Sequence, residues 1–297
     1  MATLILGCGY LGRRVAEQLL DERSGGRDST AGNIYAVTRK SEHAAELEQL
    51  GLTPVVADVT DPASLKTLPP ADTVIVAIGY DRSTGLSIDE TYVNGLANVL
   101  DSLTLKTKRI IYVSSTGVYG QSDGSLLDEE SPCEPIRDGG KACLGAEQLL
   151  ASHPLGKNSV ILRLAGIYGP GRLPRSTQLM EEQRLPVDPD TFLNLIHVED
   201  AAAAVCAAAK LPVSESPRIY CVSDGSPLLR RDYFEELARQ VAAPPPVFSV
   251  SQDARKERGG GHKRISNVKM MAELGLKLRF PDWRHGLAAS LAAENTA

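Results

Sequence analysis

The fold is decided near the N-terminus by the stretch Leu4-Ile5-Leu6-Gly7-Cys8-Gly9-Tyr10-Leu11-Gly12-Arg13, an apolar run that ends in a G-x-G-x-x-G turn. Apolar residues at helical spacing follow, so the pattern predicts a strand, a tight turn and a helix. In such a turn the first glycine permits the bend, the second lets the backbone approach a pyrophosphate, and the third lets the helix pack on the strand. The anion binds at the amide end of the helix. We therefore expect a dinucleotide to contact Gly7, Gly9, Tyr10, Leu11 and Gly12.

Composition limits the class of protein. The chain has 297 residues, 42% of them hydrophobic and 23% charged, and a formal net charge of −5, which gives no basic field to attract nucleic acid. No apolar stretch is long enough to span a bilayer, and the start lacks the basic region of a signal peptide. Five cysteines without a C-x-x-C pair favour reduced thiols. We expect a cytoplasmic protein that binds no nucleic acid, no membrane and no structural metal.

Strand and helix signals alternate along the first two thirds of the chain. This alternation predicts an α/β protein with a doubly wound parallel sheet of the Rossmann type, covered by helices on both faces. The sheet should contain about seven strands. The predicted strands are 3–6, 34–38, 53–57, 73–78, 109–114, 160–164 and 219–222. The helices predicted between them are 10–21, 42–50, 87–103, 143–152 and 199–210.

Prolines interrupt this rhythm after residue 164 and again at 244–246. We interpret the interrupted stretches as a second, smaller lobe made of two pieces. The predicted division gives residues 1–165 and 193–224 to a dinucleotide-binding domain. Residues 166–192 and 225–297 then form a C-terminal substrate-binding lobe.

Four further segments carry a resemblance to the extended short-chain dehydrogenase/reductase superfamily, in particular to its atypical, epimerase/dehydratase-like members. They are Val-Val-Ala-Asp-Val-Thr-Asp at 55–61, Ile-Tyr-Val-Ser-Ser-Thr-Gly-Val-Tyr-Gly at 111–120, Arg-Leu-Ala-Gly-Ile-Tyr-Gly-Pro-Gly-Arg at 163–172 and Phe-Leu-Asn-Leu-Ile-His-Val-Glu-Asp at 192–200. The resemblance implies a nicotinamide dinucleotide, hydride exchange with a substrate, and Ser115 as the serine that holds the substrate oxygen.

The resemblance also assigns the adenosine end of the cofactor. Asp58 and Val59 follow the third strand and are expected at the adenine, whereas Ile78 and Gly79 follow the fourth strand and are expected at the ribose. Thr38-Arg39-Lys40-Ser41 follows the second strand, where an NAD site would usually have an acidic residue. Because Arg39 and Lys40 suit a 2′-phosphate, we favour NADP over NAD.

One departure from the family affects the predicted chemistry, because the Tyr-x-x-x-Lys pair has lost its tyrosine. If Lys141 is the family lysine, Arg137 stands at the tyrosine position. If the register is set on Glu147 instead, Gly139 and Cys143 stand at the pair. Lys141 is a catalytic candidate in the first register and a surface lysine in the second. Tyr80 and Tyr92 are alternative sources of the missing phenol.

Two hypotheses about function therefore stay open. The first is an NAD(P)-dependent oxidoreductase, epimerase or dehydratase acting on a small polar or nucleotide-sugar-like substrate. The second is a non-catalytic NAD(P)-binding protein that serves as a ligand or redox sensor. The basic segment 256–264 belongs to the substrate lobe and could close on an anionic substrate. A homodimer also stays open. The resemblance implies a helix at 89–103 that packs between protomers in many relatives, but its apolar pattern here fits a subunit interface and a protein core equally well.

Overall fold

The computed structural model describes residues 1–25, 32–249 and 261–294. The predicted loop at 24–32 and the basic segment 256–264 therefore lie largely outside the described residues. None of the helices in the described part of the chain is long and apolar enough to cross a lipid bilayer.

Thirteen strands and nine α-helices are formed by the described residues. The strands are β1 (Thr3–Leu6), β2 (Ile34–Thr38), β3 (Thr53–Val56), β4 (Thr73–Val76), β5 (Arg109–Ser115), β6 (Leu126–Leu127), β7 (Ser159–Leu164), β8 (Gly166–Tyr168), β9 (Phe192–Leu193), β10 (Leu195–His197), β11 (Arg218–Val222), β12 (Leu228–Leu229) and β13 (Arg264–Ile265). The helices are α1 (Tyr10–Ser24), α2 (Ala44–Gln49), α3 (Gly95–Ser102), α4 (Asp138–Ser152), α5 (Ser176–Met180), α6 (Val198–Ala209), α7 (Arg230–Gln240), α8 (Val268–Leu274) and α9 (Trp283–Glu294).

The predicted seven-stranded sheet is confirmed, with the order β11-β7-β5-β4-β1-β2-β3. The pairings from β3 through β5 are parallel. Leu4, Ile5 and Leu6 of β1 are fully buried, as expected for the central strand of a sheet covered on both faces. The strand order reverses between β1 and β4, and ligands of open α/β sheets bind at the carboxyl ends of the strands at such a point.

The chain divides into two compact units. The first unit contains Met1–Ser115, Asp138–Arg163 and Ala202–Tyr220, and the second contains Thr116–Arg137, Leu164–Ala201 and Cys221–Ala297. The division differs from the expected one mainly at 116–137 and 193–201, which group with the second unit. The physical reason is strand pairing, because β6 pairs with β13 and β10 pairs with β8.

Each unit has its own hydrophobic core. In the first unit, residues of the central strands pack against Leu96, Val99 and Leu100 of α3. In the second unit, Tyr168, Tyr233 and Trp283 are among the large side chains buried together.

Helix boundaries were harder to predict than strands. α4 begins five residues before the expected start at 143, because its Gly139-Gly140 pair is accommodated inside the helix. The helix expected at 87–103 contains a π-helical turn at Glu90–Asn94 directly before α3. The weakly amphipathic α8 and α9 were not predicted at all.

Candidate functional site

The glycine turn of the first unit is built so tightly that two of its glycines cannot be replaced. Gly7 has a φ of +90°, and a Cβ there would lie 2.5 Å from the carbonyl oxygen of Ala77. A Cβ on Gly12 would lie 2.2 Å from the carbonyl oxygen of Gly7. Both glycines are therefore required by the backbone of the protein itself, as the sequence pattern predicts.

Gly9 is different, because a Cβ built on it meets no atom within 4 Å beyond its chain neighbours, although its ψ of −143° is one that L residues rarely adopt. It is the N-cap of α1, so no side chain at the cap accepts from the first amides, and no acidic residue lies in the first turn. Those amides and the helix dipole favour an anion at this end. A groove of about 650 Å³ opens beside the turn and is lined by residues that include Cys8, Gly9, Tyr10, Arg13, Thr38 and His43.

Arg39 and Lys40, the residues predicted to select NADP, follow the carboxyl end of β2, and each forms an ion pair with an acidic residue. Arg39 Nη2 lies 2.9 Å from Asp81 Oδ2, and Lys40 Nζ lies 3.4 Å from Glu42 Oε1. Hydrogen bonds from the Ser83 hydroxyl and amide, followed by the one from Arg39, lower the pKa of Asp81 to about 2, so its charge persists at neutral pH. Asp81 thus links Arg39 to the segment that follows β4.

Asp58 follows β3, at the expected edge, but one of its carboxylate oxygens is already engaged. Oδ1 accepts hydrogen bonds from the Thr60 amide at 2.9 Å and the Thr60 hydroxyl at 2.7 Å, which closes the turn after the strand. Val59 beside it is buried, and its carbonyl oxygen accepts from Asn98.

Ile78 and Gly79 follow β4, on the same edge of the sheet as the glycine turn. Ile78 packs against the core of the first unit. Gly79 is exposed, and a Cβ there would meet nothing within 4 Å. This position therefore has open space at the expected edge.

Ser115 is the last residue of β5, and a buried network fixes the strand end beside it. The Ser114 hydroxyl donates to Glu147 Oε1 at 2.5 Å. Arg163 Nη2 donates to Glu147 Oε2 at 2.7 Å, and Arg163 Nε also faces both carboxylate oxygens. The network ties α4 to β5 and β7, so it holds Ser115 at the carboxyl edge of the sheet.

α4 contains no tyrosine, and its one lysine is largely exposed. The Lys141 side chain is 58% exposed, and its Nζ lies 3.7 Å from Asp138 Oδ1. In the alternative register, burial raises the pKa of the Cys143 thiol to about 12, so the thiol stays protonated. Gly139 has no side chain, and a Cβ there would lie 3.5 Å from Ile88 Cδ1.

The second unit contains a group of cations that the sequence reading did not identify. Arg230 is only 4% exposed, and it donates to the Thr191 hydroxyl and, at 3.1 Å, to the Gly261 carbonyl oxygen. Burial lowers the pKa of Arg230 to about 10; Asp188 opposes this fall, whereas Arg137 and Arg175 add to it. We define the cationic cluster as four basic side chains of the second unit that are linked by electrostatic repulsion: Arg137, Arg175, Arg230 and Lys263.

Lys263 is the most perturbed member of the cationic cluster. It is 8% exposed, its ammonium donates to the Tyr119 carbonyl oxygen, and burial and then Arg137 lower its pKa to about 8. In the sequence, Lys263 was noted only as part of the basic segment 256–264. No sequence signal connects it with Arg137, because β13 brings it to β6 through pairing over more than a hundred residues.

Comparison with known proteins gives the family. The model of the NAD dependent epimerase/dehydratase family matches residues 3–223. Protein YeeZ of Escherichia coli K12 is 32% identical over 225 residues, which cover 75% of this chain and 77% of YeeZ.

Solved structures share the whole fold. A structure from Methylobacillus flagellatus, proposed to be an NAD-dependent epimerase/dehydratase, is 30% identical, covers 99% of this chain and 98% of its own, and gives a TM-score of 0.73. UDP-glucose 4-epimerase from Bifidobacterium longum, solved with NAD⁺ and UDP, is 18% identical, covers 100% and 98% of the two chains, and gives a TM-score of 0.80. The family model and the similarity to YeeZ together show that the chain belongs to the NAD-dependent epimerase/dehydratase family.

Proposed function

We propose that the protein is an NADP(H)-dependent enzyme that exchanges hydride with an anionic, nucleotide-sugar-like substrate. The first unit binds the dinucleotide, and the second unit binds the substrate. Ser115 holds the reacting substrate oxygen by a hydrogen bond.

The open space at Gly9 is the observation that carries the proposal. Gly7 and Gly12 are glycines because the protein backbone would collide with a side chain, but a Cβ at position 9 would face open space beyond its chain neighbours, where only the ψ of −143° favours glycine. A pyrophosphate that approaches the amides of α1 would account for it. The residues of the turn therefore fit a dinucleotide, whose nicotinamide would supply the hydride acceptor.

The preference for NADP rests on Arg39. Asp81 accepts from one of its guanidinium nitrogens, whereas the other donors of this planar group can still bind a phosphate. A 2′-phosphate is the part of NADP that NAD lacks, so Arg39 would favour the phosphorylated cofactor.

The cationic cluster supports an anionic substrate. Burial of the charged Arg230 and Lys263 near Arg137 costs free energy. This cost lowers the pKa values of Arg230 and Lys263. A phosphate or diphosphate would offset this repulsion through charge-assisted hydrogen bonds. The UDP bound by the structurally similar epimerase is a ligand of this chemistry.

The non-catalytic alternative is kept because of one observation on α4. Lys141 is largely exposed, and Cys143 and Gly139 cannot exchange a proton with a substrate at neutral pH. A dinucleotide-binding sensor would need no such group.

The experiment that separates the two functions is turnover with a substrate panel. Purified protein is incubated with NADP⁺ or NADPH and with nucleoside-diphosphate sugars, simple carbonyl compounds and alcohols, and product masses and nicotinamide absorbance are followed. We expect conversion of an anionic sugar that is reduced in Ser115→Ala. Tight cofactor binding without conversion, unchanged by Ser115→Ala, would favour the sensor.

A further inference from the structure

We propose that Tyr92 supplies the acid–base phenol that α4 lacks. The inference rests on the proposed function, because a proton must be moved only if hydride is exchanged. It deepens that function by naming the residue that moves the proton.

The hydroxyl group of Tyr92 is held at the carboxyl edge of the sheet. It accepts a hydrogen bond of 3.2 Å from the backbone amide of Tyr80, which follows Gly79 and the end of β4. The two tyrosine rings meet edge to face, with their centroids 6.4 Å apart. Tyr92 is therefore a fixed phenol at the edge where the cofactor is expected.

Tyr92 also lies close to β5 and α4. Burial raises the pKa of Tyr112 of β5 well above its usual value, and the nearby Cys143, Glu147 and Tyr92 add to the rise. Cys143 is the residue that replaces the family lysine in the Glu147 register. Tyr92 and Cys143 therefore both act electrostatically on Tyr112 of β5.

The segment that carries Tyr92 packs directly on α4. A Cβ at Gly139 would lie 3.5 Å from Ile88 Cδ1, and a Cβ on Gly145 would lie 3.3 Å from Val93 Cγ2. Tyr92 lies in the π-helical turn Glu90–Asn94, which contacts α4. Turns of this kind are frequent at functional sites. The phenol therefore comes from the segment packed against the helix that lacks the family tyrosine.

The proton balance follows from the reaction. A bound oxidised nicotinamide would accept the hydride and its two electrons from the carbon of a substrate alcohol, whose oxygen would give up a proton. The Tyr92 phenolate would take that proton and become the phenol. In the reverse direction the Tyr92 phenol would return the proton to the carbonyl oxygen as the carbon regains its hydride. The Tyr80 amide stabilises the phenolate between the two events by donating a hydrogen bond.

The first test compares Tyr92→Phe with Tyr35→Phe as a matched control. Each variant keeps its ring, and loss of one hydrogen bond costs about 1 kcal/mol, so both should fold, which urea unfolding checks. With the substrate found in the panel, kcat should fall by about 10²–10⁴ in Tyr92→Phe, with the cofactor Kd changed less than about threefold. Tyr35 lies in β2, and its hydroxyl accepts a hydrogen bond of 3.4 Å from the Asn33 side chain, so Tyr35→Phe should stay within about threefold of the parent. Equal activity of Tyr92→Phe and the parent overturns the inference.

The second test needs no turnover. The absorbance of tyrosinate is titrated with pH in the free and the NADP⁺-bound protein. The positive nicotinamide ring should lower the ionisation midpoint of one tyrosine by about 1 pH unit or more, and Tyr92→Phe alone should remove that component. Persistence of the component in Tyr92→Phe, or its loss in Tyr35→Phe, overturns the inference even if no substrate is found. If the protein binds no dinucleotide, the proposed function fails, and the inference fails with it.

Discussion

Gly9→Ala should separate dinucleotide binding from folding. A Cβ on Gly9 would meet no atom within 4 Å beyond its chain neighbours, but the backbone there has a φ of −90° and a ψ of −143°, outside the regions that L residues favour. Because of this backbone conformation and the poorer N-cap, we expect Gly9→Ala to lower the free energy of unfolding by about 1–3 kcal/mol and still to fold. Gly12→Ala is the contrasting variant, because its Cβ would lie 2.2 Å from a backbone oxygen of the turn, so it should lose at least as much stability.

The same methyl group should displace a bound pyrophosphate. Loss of one charge-assisted hydrogen bond from an α1 amide costs about 1.5–3 kcal/mol. The Kd for NADP⁺ should then rise roughly 10- to 150-fold. Calorimetric titration gives the Kd, and urea unfolding monitored by circular dichroism gives the stability. A Gly9→Ala variant that folds cooperatively and binds NADP⁺ with the same Kd as the parent would exclude a pyrophosphate contact at Gly9.

Three further predictions concern charged groups. Arg39→Ala should weaken NADP⁺ binding by about tenfold or more and leave NAD⁺ binding nearly unchanged, as measured by calorimetry; an equal loss for both would argue against a 2′-phosphate contact. Burial raises the pKa of Asp224 from 3.8 to about 7, so the folded protein binds this proton more tightly than the unfolded chain. Stability should therefore fall as pH rises from about 4 through about 7, and Asp224→Asn should flatten that part of the curve in urea unfolding; parallel curves would contradict it. Burial lowers the pKa of Lys263 to about 8, so binding of a nucleoside diphosphate just above that pH should take up a proton. Calorimetry in buffers of different ionisation enthalpy should detect this uptake in the parent and its loss in Lys263→Met, and equal uptake in both would exclude Lys263 as its source.

The central sheet was predictable because buried parallel strands are continuous apolar runs. All seven strands of the sheet lie within two residues of their expected bounds, and the requirement for Gly7 and Gly12 follows from the turn that the motif specifies. The runs of apolar residues were enough to locate these strands, because each strand is short and buried on both faces.

The parts that could not be predicted depend on contacts between distant residues. Arg137 acts electrostatically on Lys263, and the pairing of β6 with β13 brings these distant parts of the chain together. The link between Arg39 and Asp81 likewise joins residues 42 positions apart. The start of α4 was missed because two glycines in its first turn obscure the helical pattern, although Glu147 and Arg163 anchor the helix through a buried ion pair. In each of these regions the structure depends on tertiary packing, which overrides the local sequence propensity.

We propose that this chain uses a dinucleotide for hydride exchange. A rapid-mixing experiment combines the NADP⁺-loaded protein with nucleoside-diphosphate sugars and follows the absorbance of reduced nicotinamide in a single turnover. We predict that reduced nicotinamide forms with at least one sugar in the parent and forms far more slowly in Tyr92→Phe and Ser115→Ala. A loaded protein that binds these sugars and never forms reduced nicotinamide would contradict the claim.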